Sequence, residues 1–139
     1  MLENSFHKKE SPLVGMLGGG PGGTLGISGG ATADPVYVDE VFSTFIYDGN
    51  DSSSRAINNG LDISGEGGLV WIKRRNEING HNLCDTARGA TKILASHNNG
   101  GEGTYTDTIS SFTSTGFTIG DGSGVNESSG EYCSWSFRK

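Results

Sequence analysis

The sequence predicts an all-β fold, an antiparallel two-sheet sandwich, and three observations predict it. Short runs rich in β-branched and aromatic residues recur at spacings of roughly ten residues, parted by Gly, Asn and Ser. No window sustains a helical period. The last run, Tyr132 to Lys139, alternates, with Cys133, Trp135 and Phe137 pointing one way and Tyr132, Ser134 and Ser136 the other.

Two regions are expected, an arm over residues 1–34 and a sandwich over residues 35–139. Glycine accounts for 24 of the 139 residues, and residues 15–30 hold nine of them. Each glycine loses maximal backbone entropy on ordering, so the arm alone is expected to be a flexible, extended tail. Its scattered apolar residues Leu13, Val14, Met16, Leu17, Leu25 and Ile27 suit docking on a partner; a plain linker is the other reading.

The sandwich begins near Asp34-Pro35. Val36 to Tyr47 is long enough for one or two strands, with Phe42, Thr44 and Ile46 on one face and Ser43, Phe45 and Tyr47 on the other. Asp48 to Ser54 is a turn cluster. A short strand follows around Arg55 to Ile57, then a turn at Asn58-Asn-Gly60 and the segment Leu61-Asp-Ile63. Leu69-Val-Trp-Ile72 is apolar on both faces, as a central strand is. Further strands are expected over 82–86, 91–95, 109–112 and 117–119. Trp71, Ile72, Trp135 and Phe137 are expected to share the core, because two Trp side chains are costly to leave in water. The final strand stops two residues past Phe137 with its apolar face uncovered, so the chain is expected to continue or to be a fragment of a longer protein.

The net charge of -6 argues against nucleic-acid binding, which draws its affinity from basic patches. Lys73-Arg74-Arg75 reads as a solvated strand end. Neither Cys84 nor Cys133 has zinc-ligand spacing, and Cys133 reads as a buried free thiol. No apolar signal region and no stretch approaching a membrane span is present, so assembly in a cytoplasm without membrane association is expected.

Nothing in the motifs points to catalysis. Gly18, Gly20 and Gly23 match GxGxxG only formally, since no strand precedes and no helix follows. The Asp48-Asn50-Asp51 and Asp121–Asn126 clusters suit turns better than calcium. No pair of carboxylates faces across a sugar, and His7, His81 and His97 lie in loop-like or tail sequence. The expectation is therefore a non-enzyme with no catalytic residue, cofactor or metal. Arg88, in Asp85-Thr-Ala-Arg-Gly89, is expected to be structural, pairing with Asp85 or bonding loop carbonyls. Among the tyrosines that could stack on a sugar (Tyr47, Tyr105 and Tyr132), only Tyr105 sits in a clearly polar loop.

The segments Phe42–Asn50, Asn59–Lys73, His81, Asp85–Gly89, Ser114–Gly120 and Tyr132–Lys139, in that order, resemble a module of large structural proteins of tailed bacteriophages, especially marine ones. The resemblance spans about residues 36–139. It implies a concanavalin-like or laminin-G-like, jelly-roll sandwich and brings no catalytic residue. It further implies a virion location, assembled in the host cytoplasm, in the amino-terminal, virion-attaching part of a tail fibre or other appendage. The arm would then dock on a tail nozzle or adaptor, portal or capsid protein through Leu13, Val14, Met16 and Leu17. A homotrimer is the habit of such fibres. The alternatives are a carbohydrate-binding module that recognises a host surface glycan through Tyr105, and a capsid decoration protein.

Overall fold

Eight of the nine strands begin at or within a residue or two of a predicted run, because turn residues bound each run. The structure, a computed structural model, describes residues 35–139. The arm, with the docking candidates Leu13, Val14, Met16 and Leu17, lies outside the described residues. A single helical turn, α1 (Val38–Val41), leads into β1 (Phe42–Asp48) and β2 (Arg55–Asn58). A second turn, α2 (Ile63–Glu66), takes the place of any strand at Leu61–Ile63. Asp62 caps it by accepting from the Gly65 N–H at 2.8 Å, and Gly67, at φ 85°, ends it. Then come β3 (Gly68–Arg74), β4 (His81–Asp85), β5 (Lys92–Ile93), β6 (Gly103–Thr104), β7 (Ile109–Thr113), β8 (Gly116–Ile119) and β9 (Glu131–Arg138). The short β6 carries no apolar run and was not expected from the sequence.

Residues Val38–Lys139 form one compact unit, an antiparallel two-sheet sandwich. One sheet runs β1-β9-β3-β4 and the other β2-β8-β7, with β5 and β6 paired beside them. The last strand is thus an inner one, seated between the first and the third. A bulge at Ile109/Ser111 shifts the β7–β8 register, and the hairpin turns at Gly116. Gly116 has φ 149°, and a Cβ there would overlap the Ile57 carbonyl oxygen, so only glycine lets β8 lie this close to β2.

Register fixes which side chains meet between the sheets. Ser43, Ser136, Val70 and Cys84 form one inward row, and Phe45, Ser134, Ile72 and Asn82 the next. Tyr47, Tyr132 and Arg74 form a third. From the opposite sheet come Ile57, Phe117, Ile119 and Ile109, with Leu61, Ile63 and Val125 closing the ends. Burying these side chains supplies roughly 1.5–3 kcal/mol each of transfer free energy.

The core expectation holds for Ile72 and is corrected for Trp71, Trp135 and Phe137. Ile72 is wholly buried, but Trp71 and Trp135 are partly exposed and Phe137 is 41% exposed. Adjacent residues of a strand point to opposite faces, so Trp71 cannot share the core with Ile72. In β9 it is the serine side that faces inward, where Ser136 Oγ accepts from Asn59 Nδ2 at 2.7 Å. Cys133 is 93% buried although it lies on the outer face.

The basic triplet is corrected too. Arg74 is buried and pairs with Glu127 and with Glu77 at 2.8 Å, and its guanidinium also donates to Ser129 Oγ at 3.0 Å. Arg75 pairs with Glu131 at 2.8 Å. Arg88 takes the structural place expected of it, with Nε donating to Asp85 Oδ2 at 2.7 Å and a terminal nitrogen to the Leu83 carbonyl at 3.2 Å. Burial alone would raise the Asp85 pKa, yet the hydrogen bonds and charge of Arg88 hold it below the ordinary value.

Candidate functional site

Two neighbouring surfaces stand out, and the parity of the strands creates the first. The outward rows of the four-stranded sheet are Phe42, Phe137 and Leu69; Thr44, Trp135, Trp71 and Leu83; and Ile46, Cys133, Lys73 and His81. The outer face of a sandwich usually carries polar residues. Here it holds two Trp and two Phe, with Ile46 59% exposed. Phe42 and Phe137 pack with ring centres 5.0 Å apart.

The rings continue across the sheet as a ladder. Trp135 meets Trp71 at 5.2 Å, Trp71 meets His81 at 5.5 Å, and His81 meets His97 at 6.1 Å. The Trp71 indole N–H donates to His81 Nδ1 at 2.9 Å, and the His81 backbone N–H donates to His97 Nδ1 at 3.0 Å. His81 Nδ1 is thereby an acceptor, which places the proton of its neutral ring on Nε2. His81 lies on β4, not in a loop as the sequence suggested.

Burial, with help from Lys73 and His97, lowers the His81 pKa below its ordinary 6.5. The depressed value belongs to the folded state, so this contribution to stability is full above pH 6.5. It is lost as pH falls through the folded value. The expected result is a melting temperature that declines on acidification below pH 6.5, together with a shift of the Trp71 indole proton resonance. In His81→Phe the resonance shift and the part of the decline just below pH 6.5 should vanish, leaving the later loss from carboxylates such as Asp85. A wild-type indole resonance unmoved by acid would contradict the bond.

The second surface is a polar cleft of about 460 Å³ where the ladder ends. The loop before β4 supplies Asn79 and Gly80, and β4 supplies His81 and Asn82. The β5–β6 connection brings His97 and Asn98, and the segment after β6 brings Tyr105 and Asp107. Ile93 and Ala95 form its apolar part, and Gly122 to Gly124 close it. Two glycines make room for rings: a Cβ on Gly103 would strike the Tyr105 ring, and one on Gly80 the His97 imidazole.

Of the three tyrosines considered from the sequence, Tyr105 alone is exposed, at 52%, and it lines this cleft. Tyr47 and Tyr132 are buried, stacked at 5.3 Å, with hydroxyls donating to the Val125 and Ser123 carbonyls. Burial raises both phenols above their ordinary pKa, Tyr47 the more strongly. The two Asp/Asn loops serve each other instead of forming an open site. Asn126 is fully buried, accepts from Asn50 N–H at 3.2 Å and Arg55 at 3.0 Å, and donates to the Ser52 carbonyl at 2.9 Å. Sequence reasoning missed Asn79, Asn82, Asp107 and the Trp71–His81 pair, which come together only through the fold.

Over residues 38–139 the chain matches a family model whose description is "Domain of unknown function (DUF7483)". No curated protein and no solved structure matches the chain.

Proposed function

The chain belongs to the DUF7483 family, and we propose that it is a non-enzymatic structural protein of a tailed-bacteriophage virion, the virion-attaching part of a tail fibre or related appendage. The observation that carries this reading is the outer face of the β1-β9-β3-β4 sheet. Apolar patches of this kind, in a sandwich whose core is already complete, suit burial against another protein. The ordered resemblance of residues 36–139 to phage structural proteins supplies the virion context, and with it a trimer. A non-catalytic role is supported by the cleft, whose lining includes a single carboxylate, Asp107, and two histidines whose Nδ1 atoms are already engaged.

Two changes test the reading on particles. Ile46→Lys combined with Phe137→Ser alters only exposed side chains, so the melting temperature should stay within a few degrees of wild type. Particles should nevertheless lose most of this protein, as they should when residues 1–33 are removed. Normal incorporation of both variants would sink the assembly role.

A further inference from the structure

We propose that the cleft between β4, the β5–β6 connection and the 105–108 segment is a binding site for a neutral saccharide. The proposal is independent of the assembly role, because it rests on the cleft and not on the outer sheet face. The volume, about 460 Å³, falls within the range of roughly 300–1,000 Å³ typical of small-molecule sites.

The lining selects the ligand class. A sugar ring presents hydroxyls that both donate and accept on its rim and C–H groups on its faces. Asn79, Asn82 and Asn98 carry amides with both kinds of group, and six glycines along the walls leave backbone accessible. Tyr105 offers an exposed aromatic ring, and Ile93 and Ala95 add apolar surface for the C–H faces. Among the described residues, the Asp107 carboxylate, the Tyr105 hydroxyl and Asn82 Oδ1 accept no hydrogen bond, whereas Asn79 Oδ1 is taken by the Gly80 N–H at 2.7 Å and Asn98 Oδ1 by the Gly100 N–H at 2.8 Å. The spare acceptors therefore match hydroxyl donors.

Charge excludes the competing classes. No Lys or Arg lines the cleft, and Asp107 faces any entering ligand, so phosphates, sulfated glycans and sialic acids meet repulsion without a partner. A glycosidase would need a second carboxylate across the sugar, and Asp107 is the only one in the lining. The arrangement binds without cleaving.

The test presents the full chain to immobilised neutral oligosaccharides of hexoses and N-acetylhexosamines, beside sialylated and sulfated ones, with saturation-transfer NMR on the hits. At least one neutral glycan should bind. Tyr105→Ala and Asp107→Asn should each weaken it at least tenfold without moving the melting temperature, while Tyr105→Phe should stay within threefold. Three results would overturn the site: no neutral glycan bound across the panel, binding restricted to acidic glycans, or binding unchanged in both Tyr105→Ala and Asp107→Asn. The last would place the sugar on the Trp71–Trp135 ladder instead.

Discussion

Phe117→Ala should destabilise the domain by about 3–5 kcal/mol, enough to leave much of it unfolded at 37 °C. Phe117 is wholly buried on β8, paired with Ile57 on one side and Phe112 on the other, and faces the other sheet. It belongs to the single buried cluster with Ile57, Ile72 and Ile119, so its loss leaves a void in the middle of the core. Trp135→Ala removes a larger side chain yet should cost only about 1–2 kcal/mol, because the indole lies on the outer face and is partly in water already. Chemical denaturation of the two variants checks the ordering. Equal losses would mean that β9 had been assigned the wrong inward face.

The second large effect is expected at Asn126. Its side chain ties the 50–55 loop to the 122–127 loop through three hydrogen bonds inside the protein. Asn126→Ala leaves the Ser52 carbonyl without that donor and takes one acceptor from Arg55, for a loss of about 2–4 kcal/mol. Asn50→Ala, whose side chain accepts only from the exposed Ser52 N–H at 3.1 Å, should cost well under half as much. Urea titrations of the pair decide it. A milder effect at Asn126 than at Asn50 would show that the loops are held by their backbone bonds alone.

Strand positions were legible because turn chemistry is local: the turn residues at 49–54, 59–60 and 121–126 all lie between paired strands, as the sequence says they should. Alternation in β9 was legible as well, but alternation defines two faces without saying which is inward. The usual rule, apolar inward, fails for Trp135 and Phe137. The core cluster is built by residues such as Phe117, Ile57 and Ile72 of other strands, and β9 turns its fully buried Ser134 and Ser136 inward. The adjacency of Trp71 and Ile72 held the warning, since one strand cannot bury both on the same side.

The cleft was legible only through Tyr105, whose polar surroundings marked it as exposed. Asn79, Asn82, His97, Asp107 and Gly122 come from segments more than forty residues apart at the extremes and share no spacing. Arg74 was misread for a related reason. Its partners, Glu127 and Ser129, are supplied by a loop more than fifty positions further on.

The place of β9 between β1 and β3 also governs how the domain comes into being. Phe42 pairs with Phe137, so the sheet joins positions at opposite ends of the domain. While residues 131–138 remain unsynthesised, β1 and β3 each lack their shared neighbour, and their aromatic edges stay open to other chains. Folding of the sandwich must therefore follow translation of the whole domain, in the slow millisecond-to-second regime of non-local β proteins. During synthesis the nascent chain is at its most aggregation-prone just before the final strand arrives, and protection by chaperones matters most in that interval.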